Sequence, residues 1–325
     1  MYLHNLAMRF GIGIPSIGPM SKTSHMLELV QYAEQLGFDS LTIGDHIIIP
    51  KTINSLYPYT DTRVPPTSSF SGEWFEPLTT LAFVAGITQK IKLMTSVMVI
   101  PYRDPIFTAK ILSTIDNLSQ GRLIIGAGVG WMEEEFEILE RPPFKERGAV
   151  TDEYINIFKE LWTNDSPSFK GKYTSFPEIN FYPKPVQEPH PPIWIGGESP
   201  PALKRAARLG DGWYPIGRNP IFPLKTIDQM NDSISILIKH IDTYGRNLND
   251  FTIGYSATTY KITDNGLNDS SDSLFVGDVN KIITDIEKFA EIGVNFISFQ
   301  LVGDNLDETK ERMRIFAKEI IKQIN

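Results

Sequence analysis

Pro192-Ile193-Trp194-Ile195-Gly196-Gly197-Glu198-Ser199-Pro200-Pro201-Ala202-Leu203 joins two structural signals in twelve residues. A short β-branched and aromatic run stops at a glycine pair, which reads as a strand ending in a turn. Prolines in the next few positions suit the first turn of a helix, where the missing N–H has no partner to lose. Helical spacing then continues through 202–209 until Gly210-Asp211-Gly212-Trp213 closes the helix and opens another apolar run. Strand, helix, strand is a crossover unit with parallel strands. The turn itself leaves backbone N–H groups at a helix N-terminus beside Gly196, Gly197 and Ser199, a site suited to an anion, with phosphate expected. Arg205 and Arg208 on that helix could assist or simply form a basic surface.

The same alternation runs through the chain. Strands are predicted at 10–14, 40–44, 91–97, 122–126, 192–196, 212–216, 251–260 and 295–301, and helices at 23–36, 77–88, 105–118, 146–162, 200–209, 225–244, 279–292 and 306–324. Several strands are nearly continuous apolar runs, the pattern of a parallel sheet covered on both faces. An open doubly wound sheet and a closed barrel both accommodate such units. Eight units favour an α/β fold of the (β/α)8 TIM barrel type as a single domain over 1–325. A barrel of that kind takes ~250 residues, so the excess belongs to insertions, read at 47–75 and 164–191. The first follows a strand's C-terminal end, where barrel enzymes keep their chemistry, and is the better lid.

Composition removes several function classes. The chain has 325 residues, 31 Lys and Arg against 39 Asp and Glu, and a net charge of -8, which gives no electrostatic footprint for nucleic acid. Without cysteine there are no disulfides, thiolate sites or thiol nucleophiles, and a cytoplasmic location is expected. Neither a secretory leader nor a run long enough to span a membrane is read, and no metal site is expected, because His4, His25, His190 and His240 form no ligand-spaced pair.

Strand ends supply the candidate site. Asp45-His46 ends the second strand, where the histidine can serve as acid or base, or the pair can be a cap. Thr95 and Ser96 reach the end of the third strand. Gly126, Gly128 and Gly130, before Trp131, allow close backbone approach to a flat ligand or form a tight turn. This run lacks the dinucleotide-binding pattern, whose last glycine is replaced by Trp131. Glu134 and Glu135 follow closely enough to reach the site.

Five segments together resemble the luciferase-like flavin and deazaflavin oxidoreductases, in particular the branch of coenzyme F420-dependent enzymes. They are Leu36-Gly37-Phe38-Asp39-Ser40 into Gly44-Asp45-His46; Val99-Ile100-Pro101-Tyr102-Arg103-Asp104-Pro105; Leu118-Ser119-Gln120-Gly121-Arg122 into Gly126 through Trp131; Pro191-Pro192-Ile193-Trp194-Ile195-Gly196-Gly197; and the Gly210 to Trp213 turn. The resemblance implies a bacterial-luciferase-like barrel with a planar cofactor over its strand ends. Its phosphate would meet the 196–199 turn, and a cis peptide at Ser96-Val97 would form a bulge behind the ring. Asp45-His46, where flavin mononucleotide (FMN) members more often have Glu-His, favours F420, with FMN as the alternative. The family's sugar-phosphate dehydrogenase has a glutamate in place of Trp131, so that residue's role does not transfer, and a flatter or less polar substrate is expected.

The implied reaction is hydride transfer between F420 and a small organic substrate. His46 would exchange a proton with the substrate, and Asp45 would hold the imidazole or the ring edge. One alternative is an FMN-dependent monooxygenase using reduced flavin and dioxygen, and another is a protein that binds the cofactor without catalysis. A homodimer is expected through helices 77–88 and 105–118, where Leu78, Leu81, Phe83, Val84, Ile106, Phe107, Ile111, Leu112 and Ile115 offer more apolar surface than one buried face needs.

Overall fold

Eight parallel strands close into a ring in the computed structural model, which describes residues 7–66, 73–263 and 273–324. They are β1 (Arg9–Gly13), β2 (Ser40–Ile43), β3 (Lys92–Thr95), β4 (Leu123–Gly128), β5 (Ile193–Gly196), β6 (Gly212–Tyr214), β7 (Thr252–Ala257) and β8 (Phe296–Phe299). β1 pairs with β2 and β8, the order continues through β7, β6 and β5 to β4, and β4 meets β3 with Leu123 opposite Leu93. That last ladder separates a barrel from a doubly wound sheet. Around the ring lie α1 (Thr23–Leu36), α2 (Pro77–Ala85), α3 (Pro105–Leu118), the short α4 (Glu133–Ile138), α5 (Arg147–Thr163), α6 (Pro200–Leu209), α7 (Ile227–Thr243), α8 (Val279–Glu291) and α9 (Leu306–Phe316).

Helix starts follow from local chemistry. The Glu76 side chain accepts from Thr79 N at 2.6 Å with Pro77 next in line, and Asp104 accepts from Phe107 N at 2.9 Å ahead of Pro105. Asp278 and Asn305 cap α8 and α9 in the same way. Inside the ring, Met94, Ile124, Trp194, Tyr214 and Phe296 pack as one cluster. At the N-terminal end, the Arg9 guanidinium lies 5.6 Å from the Trp194 ring and bonds Thr252 and Asn295, so the barrel is filled rather than open.

Four features depart from the predicted elements, the first being the last helix, which is α-helical from Leu306 to Phe316 and widens to a π-helical turn at Ala317–Ile321. The third strand breaks after Thr95 and resumes at Met98–Val99. The seventh is shorter, Thr252–Ala257. α4 went unpredicted because six mostly acidic residues carry too little periodicity to be seen. Within 164–191 a small hairpin pairs Phe169–Lys170 with Ser175–Phe176, and the Glu153 carboxylate accepts from the N–H groups of Lys172, Tyr173 and Thr174. Residues 67–72 of the first insertion, and His4, lie outside the described residues. Among the described residues no helix is long and apolar enough to cross a membrane.

Carboxylates that collect backbone N–H groups make stability depend on acid. Burial alone would raise the pKa of Glu34, but three backbone donors, from Gln89, Lys90 and Ile91, outweigh it and hold it below the ordinary 4.5. Burial is likewise outweighed at Glu76 by Thr79 and Arg103, and at Glu134 by Ser55 and Asn54. With folded values below unfolded ones, their stabilisation is complete above about pH 4.5 and is lost as pH falls through the folded values. These three carboxylates should therefore leave the melting temperature unchanged down to about pH 5 and lower it below that. A thermal scan in which acidification to about pH 4 raises the melting temperature would contradict this.

Candidate active site at the barrel mouth

The C-terminal strand ends face one another across the mouth, and the break in β3 shapes its floor. The Ser96-Val97 peptide is cis, as the resemblance implied. Val97 then lies against the β4 and β5 glycines: a Cβ on Gly126 would stand 2.0 Å from the Thr95 carbonyl, and one on Gly128 2.6 Å from a Val97 methyl. A Cβ on Gly196 would likewise be crowded, 3.1 Å from a Val97 methyl. These glycines make room for the bulge, a more specific reason than close approach to a ligand. Gly130 has φ +83 and packs against Phe136 and Val99. The Ser96 hydroxyl meets Tyr214 Oη at 3.1 Å, and Tyr214 meets Ser298 Oγ at 2.5 Å, so the bulge is tied to β6 and β8.

Asp45 is buried and does not hold the imidazole. Its carboxylate takes both arms of Arg103, at 2.7 and 2.8 Å, and accepts from Val99 N at 2.8 Å, just beyond the bulge. Burial would lower the pKa of Arg103, but Asp45 and Glu76 raise it well above its usual range, so the guanidinium stays charged. The expected pairing of adjacent residues fails because Asp45 and His46 point to different elements.

His46 pairs with Glu135, on α4. His46 Nδ1 and Glu135 Oε2 are 2.6 Å apart, and Glu135 is fully buried. Its other oxygen accepts from Ile47 N at 2.7 Å and Ile48 N at 3.1 Å. Trp74 and Trp131 set their rings edge-on to the imidazole at 4.9 and 6.0 Å, and Tyr57 stands 5.1 Å from Trp131. Tyr102 stays protonated, its pKa raised by burial and by Glu135 and Asp45. The signals for Glu135 in the sequence were its place just after a glycine turn and its membership of an acidic run. Neither distinguishes it from Glu134.

Glu134 serves the first insertion. It accepts from Asn54 N, Ser55 N and Ser55 Oγ at 2.6 to 3.0 Å. Farther along, Asp61 pairs with Lys225 at 3.5 Å, and Trp74 bridges back to Ile17 after β1. Anchors on loops from β4, β6 and β1 carry this segment across the mouth. Tyr59 within it is held protonated by burial and by the neighbouring Glu198 and Tyr57.

At the β5 end, Gly197 takes φ +98, a left-handed conformation, and its carbonyl accepts from Trp213 Nε1 at 2.8 Å. Ser199 stands just before α6 without a side-chain capping bond, followed by Pro200 and Pro201. Among the described residues, no backbone carbonyl accepts from the N–H of Gly197 or Ser199. The buried Glu198 points away to Ile216 N (2.8 Å) and Asn219 Nδ2 (2.9 Å), its pKa raised by burial. Arg205 and Arg208 both pair with Asp152 and are not at the turn. Two prolines remove donors from the first helical turn; of the three residues read at this turn, Gly197 and Ser199 lie outside the strand with their N–H groups not taken by a backbone carbonyl among the described residues, while Gly196 ends β5. No group of His, Cys, Asp and Glu among the described residues is arranged to hold a metal ion.

A closed parallel barrel thus carries a cis bulge and a carboxylate-held histidine at its strand ends. The luciferase-like monooxygenase family model matches residues 8–265, and the chain belongs to that family. It is 34% identical over 152 residues to an FMNH2-dependent dimethylsulfone monooxygenase of Pseudomonas putida, 46% of this chain and 41% of that one. It is 32% identical over 192 residues to an F420-dependent glucose-6-phosphate dehydrogenase of Amycolatopsis mediterranei, 57% of this chain and 52% of that one. The chain spans two thirds or less of the length of such curated relatives. In fold it is similar to a monooxygenase of Streptomyces bottropensis, with TM-score 0.79 at 23% identity over 98% of this chain and all of that one.

Proposed function

We propose that this chain is an oxidoreductase, a single cytoplasmic barrel domain, that moves a hydride between coenzyme F420 and a small organic substrate. The observation that carries the reading is that the strand ends bring to one mouth His46, held by a buried carboxylate, and the Ser96-Val97 bulge. When bound, the deazaflavin supplies the carbon that gives or takes the hydride. Val97 and the Ser96 backbone support the ring, while Gly126, Gly128 and Gly196 let the bulge seat, and Gly130 turns the chain away. The phosphate meets the N–H groups of Gly197 and Ser199, with the α6 dipole behind them. His46 exchanges a proton with the substrate heteroatom, and Trp74, Trp131 and Tyr57 exclude water around it. Asp45 acts through structure, by holding Arg103 and the chain after the bulge.

The Pseudomonas putida relative supports a second reading, an FMN-dependent monooxygenase. A fluorescence titration of the pure chain separates the two. F420 is expected to bind at least about tenfold, or about 1.4 kcal/mol, more tightly than FMN. The reverse order would favour the monooxygenase.

We also propose that the chain forms a homodimer through α2 and α3. Leu78, Leu81, Val84, Leu112 and Ile115 are buried within the chain, and Ile106 and Ile111 partly so. The remaining surplus is Phe83 and Phe107, with Phe107 64% exposed. Light scattering at micromolar concentration should give twice the chain mass for wild type and the monomer mass for Phe107→Glu. A monomeric wild type would contradict the pairing.

A further inference from the structure

We propose that Glu135 is a positioning residue that sets the tautomer of His46 and makes its orientation depend on the seating of the first insertion. The proton assignment follows from the pairing. A carboxylate only accepts, so the 2.6 Å contact at Oε2 puts the proton on Nδ1. In the neutral ring, Nε2 is then the lone-pair nitrogen, and only when it is protonated can His46 donate from that side. The second oxygen of the same carboxylate holds Ile47 N and Ile48 N, the first two residues of the insertion. One fully buried group therefore fixes both the ring and the start of the segment that crosses the mouth. The adjacent Glu134 anchors Asn54 and Ser55 without touching the ring, so α4 carries one carboxylate for the insertion alone and one for insertion and histidine together.

Glu135→Gln separates the two duties. Its carbonyl oxygen still accepts from Ile47 and Ile48, while its amide nitrogen faces Nδ1 as a donor. The ring then has to accept there and carry its proton on Nε2. In acyl-transfer enzymes, an amide in place of the carboxylate behind a catalytic histidine costs on the order of 10⁴ in turnover through the wrong tautomer. A loss of at least about 100-fold is expected here. Glu134→Gln, by contrast, should raise KM and expose the insertion to protease with kcat little changed.

Nitrogen-15 NMR of the labelled imidazoles, with His46 assigned from His46→Gln and the pH high enough for neutral rings, reads the tautomer directly. Wild type should carry its proton on Nδ1 and Glu135→Gln on Nε2, with resistance of the insertion to limited proteolysis retained. Glu135→Ala, if it folds, should lose both the defined tautomer and the resistance. The same tautomer in wild type and Glu135→Gln, or a folded Glu135→Gln in which the insertion is cleaved as in Glu135→Ala, would overturn the proposal. The turnover comparison rests on the proposed oxidoreductase activity. The NMR and proteolysis readings need neither cofactor nor substrate, so failure of that activity and failure of the positioning role remain distinguishable.

Discussion

His46→Ala is expected to lower turnover about 10²- to 10⁴-fold while F420 affinity changes by no more than about threefold. The imidazole is held by Glu135 on α4, and the proposed phosphate donors are the N–H groups of Gly197 and Ser199, so its loss should spare binding. If the chain only bound the cofactor, His46→Ala would leave any measured turnover at the wild-type rate. That result would remove the catalytic assignment.

Asp45→Ala should have the largest effect on stability. It strips Arg103 of two hydrogen bonds and Val99 N of its acceptor, in a place from which water is largely excluded. Breaking a buried ion pair by removing one partner costs about 3–5 kcal/mol. Glu76 keeps one bond to Arg103, so the lower end is expected, about 3 kcal/mol. Urea denaturation should show it as a lower midpoint with an unchanged slope. A midpoint equal to that of wild type would mean that Asp45 does not hold the chain beyond the bulge. Asp45→Asn keeps the shape but loses the charge, and should fall between the two.

The barrel was legible because its signals are local and repeated. Pro77, Pro105 and Pro200 mark three helix starts, and apolar runs such as Leu123 to Ile125 and Ile193 to Ile195 mark doubly buried strands. The strand ends that form the mouth followed from the same pattern. Less legible was which residue meets which. Asp45 and His46 are neighbours in sequence, yet their partners, Arg103 and Glu135, stand 58 and 89 residues away. Alternation along a strand end sends adjacent side chains to different elements, and no spacing rule states which elements those are. The glycines at 126 and 128 were seen, but their reason lies in a methyl group and a carbonyl of another strand. Tyr214 and Ser298, which hold the bulge from across the barrel, carried no signal beyond that of ordinary strand residues.

The central claim is that the mouth holds a deazaflavin with its ring between the Ser96-Val97 bulge and His46. A crystal structure of the chain grown with F420 tests it most directly. The account predicts the phosphate against the N–H groups of Gly197 and Ser199, the ring over Val97, and the imidazole within hydrogen-bonding reach of a substrate atom at the ring face. A phosphate bound elsewhere, or a ring lying away from His46, would contradict it.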